Sequence, residues 1–296
     1  MTDNDPVDRW PADDPALIVA PTDFLIEREA PRSTAVVVSV PHYGIGSPRP
    51  YRTEEFATRL GHHLAFGFAD DYAAELYGDL HEAGAHVIAT RLSRLFVDVN
   101  RPRTDVDFKD GRAYSRTGVV RTHSRRDTPI FATPPTAAEV EQRLSDYYDP
   151  FYGAVQAALD ARASRHGGAL LLDMHTANAR RMGEHEIVLG TSRGRTASDE
   201  TVALLTSVFE RHAFKVDLNV PGYGGANVVR SFGAHVQASF EAVQIEVNAG
   251  LLQPLENSEF IALQIGGHRP PPKADILARL RRCLREVVTT SIEYCT

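Results

Sequence analysis

The chain has 296 residues, with 32 lysines and arginines against 39 acidic residues and a net charge of −7. Hydrophobic residues make up 43% of it, which is too many for a wholly disordered chain. The net acidity argues against a nucleic-acid partner, because phosphate binding needs a basic surface. No apolar run is long enough for a membrane helix, and the acidic start of the chain does not resemble a secretory signal. We therefore expect a cytoplasmic protein with no membrane partner.

Composition divides the chain into a lead-in and one larger unit. Residues 1–30 are rich in aspartate and proline, and we predict an acidic N-terminal lead-in there. Residues 31–296 contain no repeat, no low-complexity segment and no clear boundary, so we predict a single domain. Cys283 and Cys295 lie near the C-terminus and form no C-x-x-C pair, which excludes a cysteine zinc site of that kind.

Short apolar runs alternate with helical patterns from residue 34 onward. The first run, residues 34–40, ends at Pro41 and is typical of a strand buried on both faces. Similar runs predict strands over residues 85–90, 95–99, 169–174, 186–189, 214–220 and 242–247. Apolar spacing predicts helices over residues 53–66, 70–82, 136–164, 197–212 and 274–290, with a kink or break at Pro150. This alternation predicts an α/β sandwich with a largely parallel sheet.

Polar side chains stand at the ends of several predicted strands, where the active sites of such sheets gather. Each of them alone is commonly structural, as for a histidine in a turn or a glutamate in an edge strand. Their coincidence at equivalent strand ends is what indicates a site. The residues concerned are His42, Asn100, Arg101, His175 and Glu246.

These residue types fit a mononuclear zinc hydrolase. Zinc binds imidazole and carboxylate and leaves a position for water, whose proton passes to a nearby carboxylate. An amide and an arginine beside the metal can hold a substrate carboxylate. His42 and His175 are the imidazole candidates, and the third ligand is Asp70 or Asp71 at the start of the second predicted helix. We expect one zinc ion per chain, although two histidines and one carboxylate also suit iron or manganese.

An ordered series of motifs runs from residue 36 to residue 252. It comprises Val40-Pro41-His42-Tyr43-Gly44, Asp98-Val99-Asn100-Arg101-Pro102, Leu172-Asp173-Met174-His175, Asn219-Val220-Pro221-Gly222-Tyr223 and Gln244-Ile245-Glu246-Val247. In this order the series resembles the N-formylglutamate amidohydrolases, which are distant relatives of the zinc carboxypeptidases and aspartoacylases. The resemblance implies a three-layer sandwich with a mixed, largely parallel sheet of the phosphorylase/hydrolase-like, zinc-exopeptidase-like kind. It also implies zinc-dependent hydrolysis of an N-acyl amino acid, with N-formylglutamate as the reference substrate.

The resemblance further implies roles for individual residues. His42, Asp70 and His175 match the family's metal ligands, with Asp71 one residue out of register. Glu246 matches the general base, and Arg94 is a candidate to stabilise the oxyanion by analogy. Asn100 and Arg101 match the Asn-Arg pair that holds a substrate carboxylate in the related carboxypeptidases.

Two departures from the family pattern concern the substrate. Ala249 and Leu252 stand where the family has an arginine and a tyrosine. These departures leave the identity of the substrate open, and we expect a small molecule or a short peptide with a free carboxylate. A carboxypeptidase-like or peptide-tailoring hydrolase with the same metal site stays open as an alternative, and so does a non-catalytic carboxylate-binding protein.

Two further features leave alternatives open. The segment Arg101–Arg126 carries eight basic residues with little periodicity. It is either a solvated surface or a cationic lid over an anionic substrate. His235 precedes the strand of Glu246 and is a candidate for lining the site.

Overall fold

The computed structural model describes residues 18–58, 68–233, 240–265 and 268–295. Its strands are β1 (Leu25–Arg28), β2 (Val36–Val40), β3 (His86–Thr90), β4 (Asp107–Lys109), β5 (Arg112–Tyr114), β6 (Ala169–Ala177), β7 (Ile187–Gly190), β8 (Val216–Leu218) and β9 (Phe240–Asn248). Its α-helices are α1 (Ala73–Tyr77), α2 (Ala137–Arg143), α3 (Asp149–His166), α4 (Ala179–Met182), α5 (Asp199–Arg211), α6 (Asn227–Phe232), α7 (Asn257–Ile265) and α8 (Ala274–Tyr294). Of the helices described, none combines the length and apolarity that crossing a membrane requires.

One sheet organises the described residues, with the strand order β1-β3-β2-β6-β9-β7-β8. Strands β3, β2, β6 and β9 run parallel to one another, and β7 runs parallel to β8. Strand β1 is antiparallel to β3, and β7 is antiparallel to β9. The predicted mixed, largely parallel sheet is therefore confirmed.

Alternate side chains of the central strand β2 pack into different hydrophobic clusters. Val37 belongs to the cluster that contains Phe151 and Leu159 of α3. Val36 and Val38 belong to the cluster that contains the buried faces of α5 and α8. Because successive side chains of a strand point to opposite faces, helices cover the sheet on both sides. The predicted three-layer sandwich is confirmed.

The lead-in predicted over residues 1–30 supplies a strand to the sheet. Its β1 pairs with β3, so that Leu25 lies opposite Thr90 and Arg28 lies opposite Val87. Residues 1–17 lie outside the described part of the chain.

The strand predicted over residues 95–99 is wrong. Leu95 and Val97 are buried as that prediction required, but the segment forms turns. Its backbone groups are satisfied by other means, since Asp98 N donates to Val119 O at 2.7 Å and Arg101 N donates to Asp98 O at 3.1 Å. A buried apolar run therefore did not distinguish a strand from a buried turn here.

The predicted helices differ from the observed ones mainly in continuity. Residues 70–82 form the short helix α1 and a 3-10 turn, Leu80–Ala83. Residues 53–55 form a 3-10 turn, and residues 59–66 of the predicted first helix lie outside the described residues. The long helix is interrupted before Pro150 by a π-helical turn, Leu144–Tyr148, and Pro150 lies in the first turn of α3, where its missing N–H is tolerated.

Candidate metal centre and active site

Three buried side chains bring donor atoms together near the carboxyl ends of β2 and β6. His42 Nδ1 lies 3.1 Å from His175 Nδ1 and 3.5 Å from Asp70 Oδ1. His175 Nδ1 lies 2.9 Å from Asp70 Oδ2. Among the described residues, these three form the one cluster of histidine and carboxylate side chains whose donor atoms could hold a metal ion. Of the two adjacent aspartates that the sequence left open, Asp70 is the one in this cluster.

The backbone fixes the positions of these side chains. His42 follows β2 by two residues, and its carbonyl accepts a hydrogen bond of 3.0 Å from Asp70 N. His175 lies in β6, and the next residue, Thr176, donates from its backbone N to Asp70 Oδ2 at 3.1 Å. The loop that carries Asp70 is thus bound both to the segment after β2, which carries His42, and to β6, which carries His175.

The donor geometry fits a tetrahedral ion. Zinc–nitrogen bonds of roughly 2.0–2.1 Å place neighbouring ligand atoms about 3.3 Å apart, close to the separations of 2.9 to 3.5 Å found here. Two histidines and one carboxylate also leave a fourth position, as catalytic zinc sites do. The residues present therefore fit a catalytic metal ion.

Each histidine is oriented by a second buried carboxylate. His42 Nε2 lies 2.8 Å from Asp98 Oδ1, and His175 Nε2 lies 3.0 Å from Asp173 Oδ2. A proton on Nε2 that bonds to a carboxylate leaves the Nδ1 lone pair available to a metal, and such outer carboxylates fix the ring orientation. Sequence reasoning gave Asp98 and Asp173 no role, although both lie in the motifs that carry the resemblance. The signal available was a carboxylate two residues before His175 and another two residues before Asn100.

The charges of this cluster depend on one another. Burial raises the pKa of Asp70, but the imidazoles of His42 and His175 outweigh it and hold that pKa well below its ordinary value. Burial lowers the pKa of His175, but the carboxylates of Asp173 and Glu246 outweigh it and raise that pKa well above its ordinary value. In the metal-free site Asp70 is thus ionised, as a carboxylate ligand must be, whereas the raised pKa of His175 favours its protonated form, so this imidazole gives up a proton when it binds a metal.

Glu246 lies on β9 directly opposite His175 on β6. Burial raises the pKa of its carboxyl to about 7, with a smaller increase from the charge of Asp70. Its Oε1 accepts a hydrogen bond of 2.5 Å from Gln244 Nε2. A buried carboxylate with a pKa near neutrality, beside a metal cluster, suits a group that takes up and releases a proton.

Arg94 contacts two buried carboxylates, that of Asp98 and that of Asp70 in the donor cluster. Its Nε and Nη2 donate to Asp98 Oδ2 at 3.1 and 2.7 Å. Its Nη1 lies 3.8 Å from Asp70 Oδ1. Half of the guanidinium is thus held by Asp98, and the other half lies beside the metal cluster.

The predicted Asn100–Arg101 pair is divided between two environments. Asn100 Oδ1 accepts from Val228 N at 3.0 Å, and its Nδ2 lies 3.0 Å from His175 Nε2, so both ends of this amide contact protein groups. The Arg101 side chain is one-third exposed and lines the cavity. Its Nε makes no hydrogen bond to the described residues. Arg101 is therefore the better placed of the two to receive a ligand.

Other residues singled out by the sequence are not part of the donor cluster of His42, Asp70 and His175. Asp71 lines the cavity, but Gln264 hydrogen-bonds its carboxylate and burial raises its pKa to about 6. Ala249 and Leu252 are buried, and neither lines the cavity, so these two departures from the family pattern do not lie on its wall. His235 lies outside the described residues.

The described residues enclose a cavity of about 1190 Å³ above the cluster, lined by ten arginines but only three carboxylates. Four of the arginines come from the predicted basic segment, namely Arg101, Arg116, Arg121 and Arg125. That segment is therefore part of the cavity wall, and it also folds back as the hairpin of β4 and β5. Ligand cavities of proteins are commonly about 300–1,000 Å³, so this one is large.

The opposite wall is built from loops that follow β7 and β8. A Cβ atom at Gly190, the last residue of β7, would lie 2.6 Å from Tyr223 O, so a glycine lets the two loops pack closely. Asn219 Oδ1 accepts from Thr191 N at 2.9 Å and from Arg193 N at 3.2 Å. These contacts hold the loop that carries Arg193 in place, and Arg193 itself has a φ of 61°.

The chain is similar in sequence and fold to known proteins. The sequence model of the N-formylglutamate amidohydrolase family matches residues 34–252. An N-formylglutamate deformylase of Pseudomonas putida is 29% identical over 109 residues, which are 36% of this chain and 40% of that protein. The chain thus matches less than half of the length of this curated relative.

Two crystal structures share the fold. That of an N-formylglutamate amidohydrolase from Ralstonia eutropha JMP134 has a TM-score of 0.73 at 21% identity, covering 92% of this chain and 97% of the other. That of a gene product of Agrobacterium tumefaciens has a TM-score of 0.66 at 18% identity, covering 92% and 95%. Because the family match extends over most of the sequence, the chain belongs to the N-formylglutamate amidohydrolase family, whose members are hydrolases of carbon–nitrogen bonds.

Proposed function

We propose that this protein is a zinc-dependent amide hydrolase of N-acyl amino acids, with N-formyl-L-glutamate as its reference substrate, releasing a carboxylic acid and a free amine. The proposal rests on the position of Glu246. It lies opposite His175 on the neighbouring strand, beside the cluster of His42, Asp70 and His175. This position puts a carboxyl that titrates near neutrality next to a set of donors that fits a metal ion. Iron or manganese would satisfy the same donors.

The proposed metal would be held by His42 Nδ1, Asp70 and His175 Nδ1. When bound, it supplies a Lewis acid that polarises the acyl carbonyl and lowers the pKa of a water molecule. Glu246 takes a proton from the attacking water on its carboxylate and later delivers it to the leaving nitrogen. The buried carboxylates of Asp98 and Asp173 keep both imidazoles oriented throughout the cycle.

Substrate binding is assigned to the arginine side of the cavity. Arg101 holds the carboxylate of the amino acid through its guanidinium, for which an arginine fork is suited. Asn100 supports that position from beside His175. The Nη1 group of Arg94 lies 3.8 Å from Asp70 Oδ1 and stabilises the negative charge that develops on the acyl oxygen.

The carboxypeptidase-like alternative is favoured by one observation. A cavity of about 1190 Å³ has room for a short peptide as well as for an N-formyl amino acid. The non-catalytic alternative requires that zinc be absent or the base misplaced; Glu246 lies opposite a metal-binding candidate, and a metal assay tests the first condition. The cytoplasmic location and the absence of a nucleic-acid partner stay predictions.

The test is formate release from N-formyl-L-glutamate by the zinc-loaded protein, with a chelator-treated sample as the control. We expect release at an enzymatic rate that the chelator abolishes and that added zinc restores. Release that is unaffected by thorough removal of metal would contradict the metal-dependent mechanism. No release, together with hydrolysis of a C-terminal peptide bond, would establish the carboxypeptidase-like alternative.

A further inference from the structure

The rim of the cavity is far more basic than the protein as a whole. Seven of the ten arginines that line it are exposed, whereas the net charge of the chain is −7. They come from separate parts of the fold that meet only at the cavity. Among them are Arg125 of the segment after β5, Arg181 of α4, Arg193 and Arg195 after β7, and Arg230 of α6.

These exposed arginines make no ion pair with a carboxylate among the described residues. The ion pairs of the cavity join Arg94, Arg101 and Arg121 to Asp98 or Asp70 in its interior. Elsewhere on the described surface some arginines are paired, as Arg103 is with Glu141 and Arg211 with Glu286, and others such as Arg165 are single, but only at the cavity do seven unpaired arginines line one space. Like charges gathered without counter-charges repel one another, so this rim is arranged for an anion that the protein does not itself supply.

The number of arginines exceeds what the reference substrate needs. An N-formylglutamate carries two carboxylates and an uncharged formyl group. Since one guanidinium group can hold one carboxylate in a bidentate pair, it would occupy about two arginines. The rim has seven, in addition to Arg101. The excess indicates a ligand with at least one more carboxylate.

Arg125 and Arg181 are two rim arginines that line the same cavity as Tyr223 and Glu246. The charge of Arg181 is, after burial, the largest influence that lowers the pKa of the Arg125 guanidinium. Tyr223 lies within electrostatic reach of both arginines, and also of Glu246 and Asp70. The two guanidinium groups therefore lie close enough to influence each other's charge, and both line the cavity together with Tyr223.

We propose that the cavity accepts N-acyl amino acids whose acyl group carries a carboxylate of its own, and that Arg125 and Arg181 bind this carboxylate. The inference rests on the proposed function and extends it from the formyl group to acidic acyl groups, such as a dicarboxylic acid joined through one end. The reaction is the same hydrolysis. The acyl carbon–nitrogen bond breaks, a carbon–oxygen bond to water forms, and the proton of that water goes to the leaving amine.

A matched pair of substrates tests the proposal. N-succinyl-L-glutamate has the extra carboxylate, and N-succinamoyl-L-glutamate has an uncharged amide of the same shape in its place. We expect kcat/KM to be about tenfold or more higher for the succinyl compound at low salt, with the difference shrinking as ionic strength rises. Equal kcat/KM values for the two compounds would overturn the proposal.

The double variant Arg125→Gln/Arg181→Gln tests whether these two arginines cause the difference in kcat/KM between the two substrates. We expect it to bring the two kcat/KM values close together and to leave hydrolysis of N-formyl-L-glutamate within about twofold of the parent. Arg165→Gln removes the same charge from an exposed position of α3 outside the cavity and serves as the control. An equal loss on N-formyl-L-glutamate and N-succinyl-L-glutamate would overturn the proposal, because the pair would then bind the carboxylates of the glutamate moiety.

Binding measurements separate this inference from the proposed function. Calorimetric titration of zinc-loaded Glu246→Gln protein, in which the base is lost, gives Kd for both compounds without turnover. Tighter binding of the succinyl compound by about tenfold, lost in the Arg125/Arg181 background, supports the anion site even if no amide is hydrolysed by the parent enzyme. Equal binding of the two compounds, with normal formate release, would overturn the anion site and leave the proposed function intact.

Discussion

His175 and Glu246 are direct partners on the adjacent parallel strands β6 and β9, so their side chains share one face of the sheet. Two residues earlier, Asp173 and Gln244 form the equivalent pair on the same face. Asp173 orients the imidazole of His175, and Gln244 donates to the carboxylate of Glu246. A slip of one residue between these strands would turn the proposed base away from the metal cluster, so strand register and chemistry are fixed together.

Replacing the proposed base tests its role directly. We expect Glu246→Gln to keep the metal and to lower kcat for formate release by roughly 10²–10⁴-fold, because the amide cannot take the proton of water. The substituted side chain keeps an oxygen that can accept the hydrogen bond from Gln244. Metal content by elemental analysis shows whether the site is intact. Turnover at the rate of the parent protein would show that Glu246 is not the base.

The sequence predicted the site better than it predicted the local structure around it. His42, His175 and Glu246 could be found because each follows or ends an apolar run, and the carboxyl ends of parallel strands meet at one edge of a sheet. Asp70 could be assigned only to within one residue, since its selection depends on the turn bound to His42 O and Thr176 N. That turn is a long-range contact without a local pattern.

Other features had no local signal that distinguished them. The buried run at Leu95–Val99 is compatible with either a strand or a turn, and its backbone N–H groups bond to Ser93 and Val119 instead of to a neighbouring strand. The arginines of the cavity rim come from segments up to about a hundred residues apart, so their convergence depends on the tertiary fold. The roles of Asp98 and Asp173 depend on which imidazole nitrogen faces the metal, which only the geometry defines.

The choice between the two adjacent aspartates can be tested with a matched pair of variants. We expect Asp70→Asn to lose zinc at neutral pH and with it all activity, because an amide is a much weaker zinc ligand than a carboxylate. Asp71→Asn should keep one zinc per chain, since the Asp71 carboxylate is hydrogen-bonded by Gln264 and lies outside the donor cluster. The comparison is made by equilibrium dialysis against zinc with elemental analysis. Loss of zinc from the Asp71 variant alone would reverse the assignment.

The outer carboxylate of His175 should act on the metal without touching it. Asp173 Oδ2 lies 3.0 Å from His175 Nε2, and its Oδ1 accepts from Ser39 Oγ at 2.5 Å. We expect Asp173→Asn to weaken zinc binding about 10–100-fold, as removal of such outer partners does. Ser39→Ala leaves the aspartate in place and should have a smaller effect. Chelator competition gives both affinities, and an unchanged zinc affinity in Asp173→Asn would mean that the imidazole does not depend on this contact.

Burial of Glu246 should also make the metal-free protein less stable at higher pH. Its pKa is raised by burial from 4.5 to about 7 in the folded state, whereas the unfolded chain exposes this carboxyl to water. Between these values the folded state holds more protons than the unfolded state, so the free energy of unfolding falls as pH rises and the loss is complete above about pH 7. The shift corresponds to up to about 3 kcal/mol.

Glu246→Gln removes this titration. In chelator, we expect the variant to gain up to about 3 kcal/mol over the parent between pH 5 and pH 8, measured by urea unfolding at both values. Glu210→Gln alters an exposed glutamate of α5 outside the cavity and should follow the parent at both pH values. Zinc should reduce the difference, because a nearby cation stabilises the ionised carboxylate. If the free energies of unfolding of the parent and of Glu246→Gln changed equally between pH 5 and pH 8, the carboxyl would not be buried in its charged form.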